Sequence, residues 1–148
     1  MTDEPLRVRI CKYEDIERLA RLNQQLIEDE GYDRSGRISL EGLKDRMSEF
    51  IHSGYTAYIF EEGGEVVGYA LINRRSDPVR LRQFFICRDR RRQGYGHRAF
   101  QELLKQAGLT TVDLDVLAWN KVGIEFWKSL GFETRSICMN YAVKKQKQ

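Results

Sequence analysis

Two glycines and a cluster of arginines carry the clearest chemical signal in this sequence. Gly94 and Gly96 stand where a strand-like segment gives way to a helical pattern. Glycines at such a junction leave main-chain N–H groups uncovered, and the helix dipole adds positive potential, so the arrangement favours a phosphate group. The arginines around them are Arg88, Arg90, Arg91, Arg92 and Arg98. The spacing predicts an anion-binding loop, whereas the charges alone would indicate only a solvated face.

Hydrophobic periodicity predicts the elements that position this loop. Residues 79–87 form an apolar, aromatic run that predicts the preceding strand. Apolar residues then follow helical spacing from Gly96 onward. The predicted helix ends at Gly108, because glycine is favoured at helix C-termini. Asn120 is suited to cap a last helix that ends at Gly131.

The first half of the chain predicts helices and an antiparallel hairpin. Helical faces begin near Ile16 and at Ser39, which is a favourable cap. The paired glycines within residues 62–65 favour a tight hairpin turn. The other predicted strands are residues 6–10, 55–60, 66–72, 112–116 and 132–143.

Length and composition limit the class of protein. The chain has 148 residues, 41% hydrophobic and 32% charged, with a net charge of +3. These values predict a single domain over 1–148 with a frayed tail at 144–148, no membrane span and no secretory signal. Cys11, Cys87 and Cys138 are odd in number and far apart, which argues against a disulfide framework and favours the cytoplasm.

Two motifs in register resemble the GNAT acetyltransferase superfamily. Its acetyl-CoA motif, Arg/Gln-x-x-Gly-x-Gly/Ala at a strand-to-helix junction, is matched by Arg91, Gly94 and Gly96. A second pattern, in which an Asn begins a helix that ends in an aromatic pair and a Gly-Phe turn, also matches. Its residues are Asn120, Phe126, Trp127, Gly131 and Phe132. The resemblance implies an α+β, three-layer α/β/α fold. It further implies about four helices and a mixed, mostly antiparallel sheet of about six to seven strands, splayed between the fourth and fifth.

The resemblance also implies acetyl-CoA as cosubstrate. Main-chain N–H groups of the loop would hold the diphosphate, and the pantetheine arm would pair with the strand before it, like an added strand. The cofactor-binding residues implied in this way are Phe84, Phe85, Ile86, Arg91, Arg92, Gln93, Gly94, Tyr95, Gly96, His97, Asn120, Phe126 and Trp127.

Catalysis is implied to be direct attack of an amine on the thioester within a ternary complex. The N–H of Ile86 would polarise the thioester carbonyl. Many members of the superfamily place a tyrosine proton donor where this chain has Trp127, whose indole N–H is not an acid near neutral pH. Tyr141 is our substitute for that donor, and a thiol with a pKa of roughly 8.5 is also able to leave unaided. The sequence identifies no general base.

Acidic residues after the first helix have two interpretations. Glu28, Asp29 and Glu30 form a solvated turn, or they attract a cationic amine acceptor, since this region lines the acceptor site in the superfamily. We expect no metal, because His52 and His97 have no partners at ligand spacing. We also expect no nucleic-acid partner, and the short C-terminal region suggests a homodimer that completes the sheet edge.

Two alternative functions stay open at this point. A non-catalytic acyl-CoA-binding sensor would explain Trp127 at the acid position. A dinucleotide-binding oxidoreductase would use Gly94, Gly96 and Ala99 as its glycine pattern. The upstream hairpin and the polar residues 88–93 before the glycines disfavour the oxidoreductase. The identity of the acceptor amine lies beyond the sequence.

Overall fold

The computed structural model describes residues 5–31 and 39–145. It divides into two compact units, Met1–Asp115 and Val116–Gln148. In the described residues the first unit contains all five strands and three of the four α-helices. Its strands are β1 Arg7–Ile10, β2 Tyr55–Glu62, β3 Glu65–Asn73, β4 Val79–Ile86 and β5 Val112–Asp113, and its helices are α1 Ile16–Glu30, α2 Leu40–His52 and α3 Tyr95–Ala107.

The sheet runs in the order β1-β2-β3-β4-β5, antiparallel throughout except for the parallel pair β4–β5. The mixed α+β fold with four helices is therefore confirmed. The expected six to seven strands are wrong: the described chain has five. No helix within the described ranges is long and apolar enough to span a bilayer.

Opposite faces of the sheet pack against different helices. Phe84 contacts Phe60 at a ring distance of 5.4 Å and Phe100 of α3 at 6.4 Å. Phe85, the next residue along β4, belongs instead to the core that α1 and α2 cover. That core consists of Leu19, Leu22, Met47, Ala57, Ile59, Tyr69, Leu71 and Phe85. Because neighbouring strand residues point to opposite faces, α3 lies on one side of the sheet and α1 with α2 on the other.

A polar network is buried within the core that α1 and α2 cover. Tyr69 is fully buried and donates its O–H to Oε1 of Gln83 at 2.7 Å, and it also hydrogen-bonds with Asn23. Burial raises the pKa of Tyr69, so its phenol stays protonated. A buried polar group with partners avoids a penalty of about 1–3 kcal/mol. The network therefore fixes β3 against β4.

The sheet splays between β4 and β5, as expected. The two strands pair only through Val79 with Val112 and Arg80 with Asp113. Leu71 and Ile72 of β3 are neighbours, but their partners on β4 are Gln83 and Leu81, so Arg82 is left as an extra residue. Such a bulge bends a strand and increases its twist. Beyond Arg80, β4 pairs with no further strand of the described sheet on that side.

The second unit contains α4, Lys121–Ser129, followed by residues without regular secondary structure up to 145. The predicted final strand at 132–143 is wrong. Its alternating apolar residues Ile137, Met139, Tyr141 and Val143 are each at least 75% exposed. Alternation produces a strand only where a neighbouring edge accepts its hydrogen bonds and a core buries one face. Residues 144 and 145 of the expected tail have no regular structure, and 146–148 lie outside the described residues.

Candidate cofactor loop

The loop before α3 presents an uncapped helix N-terminus. Gly94 occupies the N-cap position in the left-handed region, with φ of 79°, and no side chain caps the helix. The first turn contains no acidic residue, and a Cβ added at Gly94 would meet nothing within 4 Å. Because the first N–H groups of a helix have no acceptor within the helix, this end is suited to an anion. The prediction of an exposed glycine junction at the start of a helix is confirmed.

Two arginines of the cluster are tied to the C-terminal end of α1. Arg91 donates from Nη2 to Oδ2 of Asp29 at 2.6 Å, and Arg88 donates to Oδ1 of Asp29 at 2.9 Å. Arg88 also pairs with Glu28 at 3.2 Å. Partial burial alone would raise the pKa of Asp29, but these hydrogen bonds hold it below its usual value. The carboxylate of Asp29 is therefore ionised, and both of its oxygens accept hydrogen bonds from arginines of the loop.

Two other arginines are tied to the β2–β3 hairpin. Arg98 donates to Oε2 of Glu62, and Arg90 donates to Glu65. The O–H of Tyr95 donates to Oε1 of Glu62 at 2.5 Å. This donation, followed by the charge of Arg98, lowers the pKa of Glu62. The hairpin thus presents carboxylates to both ends of the loop.

Arg92 is the exception in the arginine cluster. Among the ion pairs of the described ranges, it is the member of the five without a carboxylate partner. Its φ of 62° also makes it the one non-glycine residue with positive φ there. Left-handed backbone is costly for a residue with a Cβ and is often found at functional sites. Arg92 therefore adds to the main-chain N–H groups of this loop a charge that no described carboxylate pairs.

The open edge of β4 meets the loop at Ile86. The N–H of Cys87 donates to the carbonyl of Val67 on β3 at 2.8 Å. Since hydrogen-bonding direction alternates along an antiparallel strand, the backbone groups of Ile86 and Phe84 point away from β3. The carbonyl of Ile86 accepts instead from Nε of Arg91 at 2.9 Å. One arginine side chain therefore joins the β4 edge to the end of α1.

The predicted acidic residues lie at this end of α1. Glu28 and Asp29 contact arginines, as described above. Glu30 differs, because desolvation and then the charge of Asp29 raise its pKa. Their predicted role in acceptor binding stays a prediction.

Four of the predicted site residues belong to the second unit. Oδ1 of Asn120 accepts from the N–H of Gly123 at 3.0 Å, so its role as a helix cap is confirmed. The rings of Phe126 and Trp127 lie 4.8 Å apart, and Trp127 contacts Phe132 at 5.2 Å. Tyr141 is 87% exposed. Cofactor contacts by the first three and proton donation by Tyr141 stay predictions.

Sequence reasoning missed the carboxylates that hold the loop. Glu62 and Glu65 flank the hairpin glycines, and only their charge, opposite to that of the arginine run, pointed to them. The positive φ of Arg92 was also missed, because arginine is not a residue type that signals left-handed backbone.

Comparisons with known proteins identify the family and the fold. The model of the acetyltransferase (GNAT) family matches residues 16–132. AAC(6')-Iy, an aminoglycoside N-acetyltransferase solved with a bisubstrate analogue, superposes with a TM-score of 0.71 at 19% identity, over 94% of this chain and 98% of that one.

Two clostridial proteins have the same fold. A possible acetyltransferase from Clostridium difficile 630 gives a TM-score of 0.73 at 15% identity, over 96% of this chain and 100% of that one. A predicted acetyltransferase from Clostridium acetobutylicum, solved with acetyl-CoA, gives 0.68 at 16% identity, over 93% and 96%. No curated protein sequence matches this chain. From the family match over most of its length, the chain belongs to the acetyltransferase (GNAT) family, a family of acetyl-CoA-dependent acyltransferases.

Proposed function

We propose that this protein is an N-acetyltransferase that moves the acetyl group of acetyl-CoA to a small-molecule amine by direct attack in a ternary complex. The observation that carries the proposal is the junction at Ile86. There the chain leads from the unpaired edge of β4, through residues 87–94, to an uncapped helix N-terminus in the same compact unit. The family match supports an acyltransferase over the oxidoreductase considered above.

The residues of the junction fit the two parts of CoA. The first turn of α3 offers N–H groups, and the loop before it offers open space at Gly94 and the charge of Arg92, which no described carboxylate pairs. These features suit a diphosphate. The carbonyl of Ile86 already accepts an N–H donor, from Arg91, so a pantetheine amide would be an equivalent donor there. Acetyl-CoA supplies the activated thioester carbonyl when bound.

The chemistry then needs an oxyanion donor and an uncharged amine. The N–H of Ile86 points to the same side of β4 as its carbonyl and donates to the acetyl oxygen as negative charge develops. A fixed donor of this kind lowers the barrier by roughly 3 kcal/mol. Glu30 ends α1 next to Asp29 and is suited to accept the proton of the amine, because its raised pKa makes it a better base than an ordinary carboxylate. As the C–N bond forms, the C–S bond breaks and CoA leaves as a thiolate that takes a proton from solvent. Asp29, joined to Ile86 through Arg91, places this end of α1 beside the strand edge.

The acceptor we propose is a small cationic amine. Two features support this class: α1 ends in three carboxyl residues, of which Glu30 has no arginine partner among the described ion pairs, and structural neighbours include aminoglycoside acetyltransferases, one of them solved with sisomicin. An ammonium group is attracted to such a region before it loses its proton.

Release of free CoA thiol tests the proposal. Purified protein is mixed with acetyl-CoA and, separately, an aminoglycoside, a polyamine, a lysine peptide and a peptide with a free N-terminus. Thiol release that depends on one of the amines, with the acetylated product seen by mass spectrometry, is the expected result. Binding of acetyl-CoA without turnover on any amine would contradict transfer and favour the sensor.

A further inference from the structure

A single carboxylate on the hairpin contacts both ends of the cofactor loop. Glu62, the last residue of β2, accepts the O–H of Tyr95 at 2.5 Å through Oε1 and pairs with Arg98 through Oε2. Nη1 of Arg90 lies 3.9 Å from the same Oε1. Arg90 precedes residues 91–94, whereas Tyr95 and Arg98 follow them. The carboxylate of Glu62 therefore links the two ends of the loop.

The partners of Glu62 also contact one another. Nη1 of Arg90 donates to the hydroxyl of Tyr95 at 3.1 Å. The guanidinium groups of Arg90 and Arg98 lie over the Tyr95 ring, at 5.6 Å and 4.7 Å from its centroid. The side chain of Glu62 is only 20% exposed, so its ionised form depends on these donors. Charge and hydrogen bonds therefore hold one ring at the first position of α3.

The loop between these anchor points needs external support. It places Arg92 and Gly94 in the left-handed region within three residues, with φ of 62° and 79°. Positive φ at a residue with a Cβ persists only when surrounding contacts enforce it. The direction of the first N–H groups of α3 depends on the conformation of this same segment.

We propose that Glu62 is a positioning residue for cofactor binding: by fixing Arg90, Tyr95 and Arg98, it holds the loop in the conformation whose main-chain N–H groups receive the diphosphate. The inference rests on the proposed function, since it assumes that this loop binds CoA. In this role Glu62 acts through its three partners and needs no contact of its own with the cofactor. Its removal therefore weakens binding of acetyl-CoA without changing the acetyl-transfer step.

Two variants test this role. Glu62→Gln keeps the shape of the side chain but removes the charge that faces two arginines, and Tyr95→Phe removes one hydroxyl only. Loss of a hydrogen bond to a charged group corresponds to about a tenfold change in an equilibrium constant, so we expect each variant to raise the Kd and KM for acetyl-CoA about tenfold. We expect kcat to stay within about twofold of the unaltered enzyme, because the reacting atoms keep their partners.

Two controls separate positioning from general loss of stability. Asp15→Asn weakens the bidentate pair with Arg9, at 2.7 and 3.0 Å, whose members have no described hydrogen bond or ion pair with Arg90, Tyr95 or Arg98, and should lower the melting temperature without raising the Kd. Glu102→Gln changes a carboxylate of α3 whose partner is Lys105, one turn further along the same helix. This variant should leave the melting temperature and the Kd for acetyl-CoA unchanged. The double variant of Glu62 and Tyr95 should lose less affinity than the two single effects combined, because the residues act through one hydrogen bond.

The outcomes distinguish this inference from the proposed function. If the unaltered protein binds acetyl-CoA and Glu62→Gln binds it equally well, the positioning role is wrong and the proposed function stands. The positioning role is equally wrong if Glu62→Gln lowers kcat and leaves KM unchanged, or if Asp15→Asn raises the Kd as much. If the unaltered protein does not bind acetyl-CoA at all, the proposed function fails first.

Discussion

Arg92 combines a strained backbone with a charge that no described carboxylate pairs, and Arg92→Gly removes both, with opposite effects on stability and on affinity. Its φ of 62° lies in the left-handed region, which costs a residue with a Cβ roughly 1–2 kcal/mol. Glycine avoids that cost but loses roughly 0.5–1 kcal/mol more conformational entropy on folding. The difference predicts that Arg92→Gly raises the free energy of unfolding by about 0.5–1 kcal/mol.

The same substitution should weaken cofactor binding. Of the five clustered arginines, Arg92 is the one that the described ion pairs leave without a carboxylate, so its charge is available to the diphosphate. An exposed charge pair contributes up to about 1 kcal/mol, which corresponds to about a fivefold change in Kd. Stability and affinity should therefore move in opposite directions, which general damage to the fold cannot produce.

Urea unfolding and calorimetric titration with CoA measure the two effects. For a domain of this size, the expected stabilisation also raises the melting temperature by about 1–4 °C. Arg92→Lys is the matched control: it keeps both the charge and the strain, so both quantities should stay near those of the unaltered protein. The affinity difference should shrink at high salt, because salt screens exposed charges. A less stable Arg92→Gly protein, or one with unchanged CoA affinity at low salt, would refute the reasoning.

Three further predictions concern the sheet, the β1–α1 junction and the candidate base. Gly68→Ala places a Cβ 2.2 Å from the carbonyl oxygen of Phe85. Thermal unfolding should therefore show that the free energy of unfolding falls by about 1–3 kcal/mol. Unchanged stability would contradict the close approach of β3 and β4. The hydrogen bond from Arg9 lowers the pKa of Asp15 from its usual 3.8, so its ionised form stabilises the fold above that pH and this stabilisation is lost as the pH falls through the lowered value. Urea unfolding of Asp15→Asn should therefore show a deficit at neutral pH that narrows in acid, and a deficit independent of pH would oppose this. Glu30→Gln should lower kcat and remove the acidic limb of its pH profile, whereas an unchanged profile would exclude Glu30 as the base.

Local patterns were enough to predict the loop and most elements around it. Gly94 and Gly96 marked the strand-to-helix junction because glycine is the residue type that left-handed and closely approached backbone favours. The paired glycines of the hairpin and the helical spacing after Ser39 identified their elements for similarly local reasons. Each of these signals lies within a few residues of the structure that it predicts.

Features that depend on distant partners could not be predicted in this way. The hydrogen bond between Tyr95 and Glu62 joins residues 33 apart, and no periodicity in the sequence pairs them. The alternation from Ile137 to Val143 predicts a strand, but only a neighbouring edge would make it one. The expected strand at 112–116 likewise shortens to Val112–Asp113, because β4 diverges from it after Arg80.

Titration of isotope-labelled protein with CoA, followed through the amide resonances of Gly94 and Gly96, tests the central claim most directly. We expect saturable binding at one site per chain. The largest shifts should lie at these two glycines, as main-chain N–H groups receive the diphosphate, and at Ile86, as the pantetheine arm pairs with the strand there. A protein without affinity for CoA, or one whose shifts lie away from the start of α3, would contradict the account.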